Sequence, residues 1–287
     1  MKEITIISGK GGAGKTSITA SLAFLAKNRV LADCDVDAAD LHIIAQPQIV
    51  HQEDFYGGKK ASIDLYKCSH CGICIENCRY AAITADFVVD HTACEGCAVC
   101  HHLCPESAIA MEETLNGSWF ISESRFGPMV HANLIPGEEN SGKLVALVRN
   151  QARVLAEQRG MDMVIVDGAP GVGCPVISSI TGVDHVVIVT EPTMSGVHDM
   201  KRALELVRHF NIPSSLVINK SDIYPGMTSE IEEFATSEKI PLAGRIPYDR
   251  AVTDTMVQRR AVVEGGSSPA AKAIIKVWEQ LRERIWQ

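Results

Sequence analysis

The sequence predicts an α/β domain built on a doubly wound, mostly parallel sheet, interrupted by a small inserted α+β domain. Three observations predict it. Short apolar runs alternate with helical runs along most of the chain, the pattern of strands joined by crossover helices. A glycine-rich loop joins the first apolar run to the first helical run. A cysteine-dense segment, residues 61–113, breaks the alternation, leaving 1–60 and 114–287 as one domain.

The first apolar run, Ile4 to Ile7, leads into Ser8–Thr16, and Ser17 to Ala26 follows as an amphipathic run. Gly9, Gly14, Lys15 and Thr16 match G-x-x-x-x-G-K-[ST] in the strand–loop–helix context that a phosphate-binding loop needs. The backbone N–H groups of Gly11, Gly12, Ala13 and Gly14 can turn toward a phosphate. The helix that opens through Ser17 adds a positive dipole end. Lys15 is expected to reach the outer phosphates of a nucleotide, and the Thr16 hydroxyl to hold Mg²⁺.

Val30 to Cys34 reads as a buried strand ending in Asp33-Cys34-Asp35-Val36-Asp37. Carboxylates at the C-terminal end of a parallel strand face the ligand crevice of an open sheet, where they suit Mg²⁺ and water positioning. Ala38 to Ala45 reads as a short helix, Ile49 to Phe55 as a strand, and Gly57-Gly58-Lys59-Lys60 as a turn. Met163 to Asp167 is an apolar run ending in a third carboxylate, which suits a central parallel strand. Val186 to Thr190 and Ser215 to Asn219 are two more buried strands, followed by helices over Gly196 to His209 and Thr228 to Ser237. Trp119-Phe120-Ile121 and Met129 to Ala132 read as a hairpin around Gly127-Pro128. Ser141-Gly142-Lys143 opens a helix. Ala270 to Ile285 carries its apolar positions on one face and both charge signs on the other, which suits a helix docked on the sheet better than one lying on a membrane.

The cysteine segment repeats itself. Cys68-x2-Cys71-x2-Cys74-x3-Cys78 recurs as Cys94-x2-Cys97-x2-Cys100-x3-Cys104, each pair 26 residues apart. The match extends to Ile63-Asp64 against Val89-Asp90 and Ala82-Ile83 against Ala108-Ile109. Zinc ribbons use separated pairs, not three cysteines in seven residues. The chain enters its first strand almost at once, which predicts no export signal and a cytoplasmic setting that disfavours disulfides. Metal or cluster ligation is the leading reading. Cys34 and Cys174 are left over, either as small buried residues or as redox contacts near the nucleotide. The 287 residues carry a formal charge of −8, which argues against nucleic acid as the main partner. No apolar run approaches the ~18 residues of a membrane span, so no membrane is expected.

The loop Gly9-Lys10-Gly11-Gly12-Ala13-Gly14-Lys15-Thr16 resembles the deviant P-loop of the family that holds MinD, ParA, the Mrp/Nbp35 scaffolds and the nitrogenase iron protein. The resemblance implies a slow Mg-ATPase that closes as an ATP-dependent homodimer, with Lys10 reaching the partner's nucleotide. It gives Asp35 the attacking water and makes Lys10, Lys15 and Asp35 the catalytic set. Asp167 resembles the Walker B carboxylate, on the Mg²⁺ with Thr16 and Asp33. Gly168 to Gly173 resembles the second switch, in which a backbone N–H, here assigned to Gly171, senses the γ-phosphate. Asn219-Lys220-Ser221-Asp222 is similar both to the guanine-reading N-K-x-D of GTPases and to the family's adenine-contacting Asn. Ile246-Pro247-Tyr248-Asp249 resembles the I-P-x-D loop over adenine and favours ATP, with Asn219, Pro247, Tyr248 and Asp249 on the base.

The repeat resembles a bacterial-type ferredoxin with two [4Fe–4S] clusters. That resemblance implies Cys68, Cys71, Cys74 and Cys104 on one cluster and Cys94, Cys97, Cys100 and Cys78 on the other. Pro105 follows Cys104 as in that pattern, but Arg79 follows Cys78 and puts a cation near a cluster. Together the resemblances imply an iron–sulfur ATPase serving a redox or cluster-recipient protein. A cluster-assembly carrier and a MinD/ParA-like positioning protein that senses redox state are the alternatives.

Overall fold

The computed structural model describes residues 1–136 and 141–286. Two compact units emerge: Met1–Gln52 with Trp119–Asn133 and Ser141–Gln287, and Glu53–Ser118 with the stretch from Leu134.

The chain opens with β1 (Lys2–Ser8), α1 (Lys15–Leu25), β2 (Arg29–Asp33) and the short α2 (Leu41–Ala45), which begins three residues later than expected. Next come β3 (Gln48–Ile63), the one-turn helices α3 (Ile73–Glu76) and α4 (Val99–Leu103), and β4 (Ile109–Ser124). Strand β5 (Gly127–Leu134) returns through a two-residue loop. The alternation then resumes: α5 (Ser141–Gln158), β6 (Met163–Pro170), α6 (Cys174–Ile180), β7 (His185–Thr190), α7 (Met194–His209), β8 (Ser214–Asn219), α8 (Pro225–Ser237), β9 (Leu242–Ile246), α9 (Arg250–Val257) and α10 (Pro269–Ile285).

The first unit has an α/β fold of the P-loop type with a mostly parallel sheet. Its strands run in the order β4-β5-β2-β6-β1-β7-β8-β9, with β3 beside β4. Pairs β5–β2, β2–β6, β6–β1, β1–β7, β7–β8 and β8–β9 are all parallel. Six of the seven β1 residues are buried, and so is every residue of β7, because helices cover both faces of the sheet. One apolar cluster joins α1 and α10 to the sheet; a second joins α6, α7 and α8. The apolar face of α10, with Ile274, Val277, Trp278 and Leu281, is buried in the first. No helix among the described residues is long and apolar enough to cross a membrane.

Register places the chemistry. Ile6 of β1 stands opposite Asp167 of β6, and Asp167 opposite Asp33 of β2. Two carboxylates therefore stand side by side on adjacent strands, Asp167 one strand and Asp33 two strands away from β1.

The second unit corrects an expectation. Gly57 to Lys60 is not a turn, because β3 runs straight through it. The Asn116 Oδ1 accepts from both the Gly57 N–H (2.8 Å) and the Gly58 N–H (3.0 Å), which holds the glycines in extended chain. The hairpin strand expected over residues 119–121 is likewise the end of the longer β4. Within the unit the repeat is visible in the backbone. The Asp64 N–H donates to Ala108 O (2.8 Å) and the Asp90 N–H to Ala82 O (2.7 Å), so each half begins on a pairing 26 residues from its equivalent.

Candidate functional site

In the first unit the loop between β1 and α1 carries the expected backbone. Gly14 caps α1 at φ 90°, in the left-handed region, and a Cβ there would lie 2.2 Å from the Asn219 amide nitrogen. No side chain caps α1 and its first turn holds no carboxylate, so the N-terminal amides are left for an anion. Asn219 braces the loop through its amide, which donates to Ala13 O (2.8 Å), and the Lys220 ammonium donates to Gly12 O (3.1 Å).

Lys15 is buried among carboxylates. Its Nζ lies 2.9 Å from Asp167 and 3.3 Å from Asp35, and 3.4 Å from the Thr16 hydroxyl. Thr19, which sequence reasoning missed, donates to the same Asp167 oxygen at 2.8 Å. Burial works against the Lys15 ammonium, but Asp167 and then Asp35 more than offset it, and its pKa is raised above the ordinary lysine value. Burial, and then the charge of Asp167, hold Asp33 well above the usual carboxylate range. Burial likewise pushes Asp35 up, against the pull of Lys15. Among the described residues, Asp33 Oδ2 and Asp167 Oδ2 are buried without a hydrogen-bond partner. Two orphaned hard oxygens beside a threonine hydroxyl fit Mg²⁺, which takes one or two carboxylates and keeps several waters.

These shifts have a consequence for stability. The folded pKa of Asp33 and Asp35 lies above the ordinary carboxylate value of 3.8, so the folded protein holds protons that the unfolded chain has released. Stability therefore falls as pH rises from about 3.8 through the folded values. Lys15 acts at the other end: its contribution is present below 10.5 and is lost as pH rises through its higher folded value. In EDTA, Asp33→Asn is expected to raise the Tm at pH 8 by about 2–4 °C and to do less at pH 5. Calorimetry at the two pH values checks this; an equal or opposite change at pH 8 would contradict the burden placed on Asp33.

Lys10 lies on its own chain. Its Nζ meets Glu191 at 2.7 Å and the hydroxyls of Ser195 and Thr193 at 3.0 and 3.3 Å. Glu191 also binds Lys220 at 2.8 Å. Burial works to raise Glu191, but Lys10 and Lys220 prevail and hold it below the usual carboxylate range. Sequence reasoning missed Glu191, and no local pattern marks it.

Three other expected residues, Gly171, Tyr248 and Asp249, make bonds within the chain. The Gly171 N–H donates to Ser8 O (2.9 Å). Asp249 caps α9 by accepting from the Ala251 N–H (2.9 Å), and its second oxygen accepts from the Ala270 N–H (3.1 Å). Its side chain thus joins two helix starts. Pro247 and the exposed Tyr248 follow β9, with the Tyr248 N–H on Asp222 at 2.6 Å. Cys34 is fully buried, and burial pushes its thiol well up, which suits an inert core residue; Cys174 is exposed.

In the second unit the eight repeat cysteines divide between two hollows. Cys68, Cys71, Cys74 and Cys104 line one; Cys78, Cys94, Cys97 and Cys100 line the other. The division crosses the sequence: the last cysteine of each motif lies with the first three of the other. Backbone amides face the sulfurs in the same way in both halves, Ala82 N–H to Cys78 Sγ and Ala108 N–H to Cys104 Sγ, each at 3.3 Å. Among the described residues no group of three or more His, Cys, Asp or Glu is placed to hold a single ion. Four soft thiols around each hollow, with N–H groups aimed at sulfur, fit an iron–sulfur cluster.

Residues 4–262 match the family described as the CobQ/CobB/MinD/ParA nucleotide binding domain. An uncharacterised protein of Methanocaldococcus jannaschii is 33% identical over 293 residues, covering 99% of this chain and 97% of that one. An iron–sulfur cluster carrier protein of Pyrococcus abyssi is 25% identical over 139 residues, 44% of this chain and 46% of that one. The septum site-determining protein MinD of Pyrococcus horikoshii, solved with Mg-ADP, superposes with a TM-score of 0.60 at 16% identity, covering 98% and 95% of the two chains. At that identity the likeness shows the fold.

Proposed function

The chain belongs to the CobQ/CobB/MinD/ParA nucleotide-binding family, whose MinD/ParA-type members are P-loop ATPases, and from that premise we propose that it is an iron–sulfur ATPase. In this reading residues 61–113 form an inserted two-cluster ferredoxin domain in the nucleotide-binding domain of 1–60 and 114–287. The crossed division of the eight cysteines carries the proposal, because a chance cysteine-rich loop has no reason to pair Cys104 with Cys68 and Cys78 with Cys94. Each bound cluster would supply a one-electron redox centre.

The nucleotide chemistry follows from this chain's own groups. Thr16, Asp33 and Asp167 would hold Mg²⁺, which would offset charge on the outer phosphates of ATP. On ATP binding, Lys15 leaves the carboxylates for those phosphates. Asp35, relieved of Lys15, then orients the attacking water and takes its proton as the new P–O bond forms and the bond to ADP breaks. The uncapped start of α1 receives the phosphates, and Asn219, Pro247 and Tyr248 border the base. Lys10 leaves Glu191 to reach the nucleotide of a second copy, so a homodimer completes the site. Strands β3 and β4 each begin in one unit and end in the other.

Weakening the hold on Lys10 should therefore favour the dimer. Glu191→Gln is expected to tighten ATP-dependent dimerisation about fivefold, the worth of ~1 kcal/mol for a partly buried ion pair. Sedimentation with ATP measures it; an unchanged or weaker dimer would count against the exchange. The proposal itself is tested by anaerobic reconstitution of the full chain. It expects roughly eight iron atoms per chain and a [4Fe–4S] electron paramagnetic resonance signal on reduction. A chain that binds zinc instead, or no metal, overturns it.

A second reading, a cluster-assembly carrier, is favoured by the match to the carrier protein of Pyrococcus abyssi. Fully ligated hollows suit resident clusters better. Transfer of labelled cluster iron to an apo-acceptor would decide for the carrier.

A further inference from the structure

We propose that the mouth of the second cysteine hollow is a docking face for a basic protein that carries a one-electron acceptor. The inference rests on the reading of the hollows as cluster sites. The repeat makes the two hollows alike in their thiols but unlike at their rims. Tyr80 and Val99 line the hollow of Cys78, Cys94, Cys97 and Cys100, and both stay open to solvent, at 45% and 42% exposure. Their counterparts 26 residues away line the other hollow, but these are the charged Glu106 and the half-buried Ile73. An exposed aromatic ring and an exposed aliphatic side chain on one rim are the apolar centre from which interfaces are built, and they line the same hollow as the four thiols.

Charge selects the occupant. Between Glu53 and Ser118 stand ten acidic and four basic side chains, so this quarter of the chain carries most of the net charge. Glu95 lines the same hollow, where the other hollow has Ser69. Glu76 is exposed two residues before Cys78, and Arg79 is the cation nearest in sequence. An apolar spot within an acidic surround fits a partner whose redox centre is ringed by lysine and arginine, and it repels a second copy of the same unit. In the docked pair one electron passes: the cluster side is oxidised by one electron and the partner's haem or flavin is reduced by one. No bond forms or breaks.

The test uses the reconstituted, dithionite-reduced full chain with cytochrome c as the basic probe and an uncharged benzoquinone as the small acceptor. The rate constant with cytochrome c is expected to fall about tenfold or more as salt rises, and Glu95→Lys to lower it about tenfold at low salt. Tyr80→Ser lowers it as well, while Glu106→Lys changes it less than about twofold. Benzoquinone rates stay the same in all variants, which separates docking from altered cluster chemistry. Carbodiimide cross-linking, read by mass spectrometry, is expected to join cytochrome c lysines to Glu95 or Glu76. Salt-independent rates, an equal loss in Glu106→Lys, parallel losses with benzoquinone, or cross-links confined to Asp64 and Glu106 overturn the inference. A chain that takes up no iron overturns the cluster reading first, and is recognised by its iron content before any rate is measured.

Discussion

Lys15→Ala is expected to lower kcat/KM for ATP hydrolysis by about 10³-fold, the range seen when one preorganised donor to a developing anion is removed. The effect should fall on kcat as well as KM, because phosphate charge grows toward the leaving group. The same substitution also strips the counter-charge from Asp35 and Asp167, which lie 3.3 and 2.9 Å from the ammonium. Nucleotide-free Lys15→Ala should therefore lose about 3 kcal/mol of stability, the cost of breaking a buried pair by removing one partner. The loss should be larger at pH 8 than at pH 5, since the carboxylates can recover a proton at the lower pH. Steady-state kinetics and urea unfolding at both pH values measure the two effects. Hydrolysis within a few-fold of the parent chain would remove Lys15 from the phosphate site.

The second large effect concerns the crossed ligands. Cys104→Ser is expected to abolish the cluster of the first motif and Cys78→Ser that of the second, each lowering bound iron by about half. The spectrum of Cys104→Ser should match that of Cys68→Ser, not that of Cys94→Ser. Four cysteines taken in simple sequence order predict the opposite match. The crossing follows from the hollows, where Cys104 faces Cys68, Cys71 and Cys74. The paired amides of Ala82 and Ala108, donating to Cys78 and Cys104, mark the two ligands as equivalent.

The parts of the molecule that are local in sequence were legible. The loop from Gly9 to Thr16 shows its strand, glycines and helix within two dozen residues, and the alternation of apolar and helical runs gives the parallel sheet of the first unit. Short elements were not: β9, α6 and α9 have five to eight residues and no strong period. Gly57-Gly58 misled because turn chemistry was read without the side chain of Asn116, which lies 59 and 58 residues away. Long-range partners were silent for the same reason. Nothing near Lys10 announces Glu191, and nothing near Asp167 announces Thr19. Asp249 carries a motif-like position, yet its two oxygens are used by Ala251 and Ala270. That contact depends on where α10 begins, which no window around Asp249 contains.

The proposed function couples a nucleotide site to the redox state of the cysteine hollows. ATPase turnover of the reconstituted chain, measured with the clusters oxidised and then reduced, tests that coupling most directly. Coupling of ordinary size predicts turnover that differs by about fivefold or more between the two states, with the difference lost in Lys10→Ala, whose dimer cannot close. Equal turnover in both redox states, from protein whose iron content and spectra are intact, would contradict it.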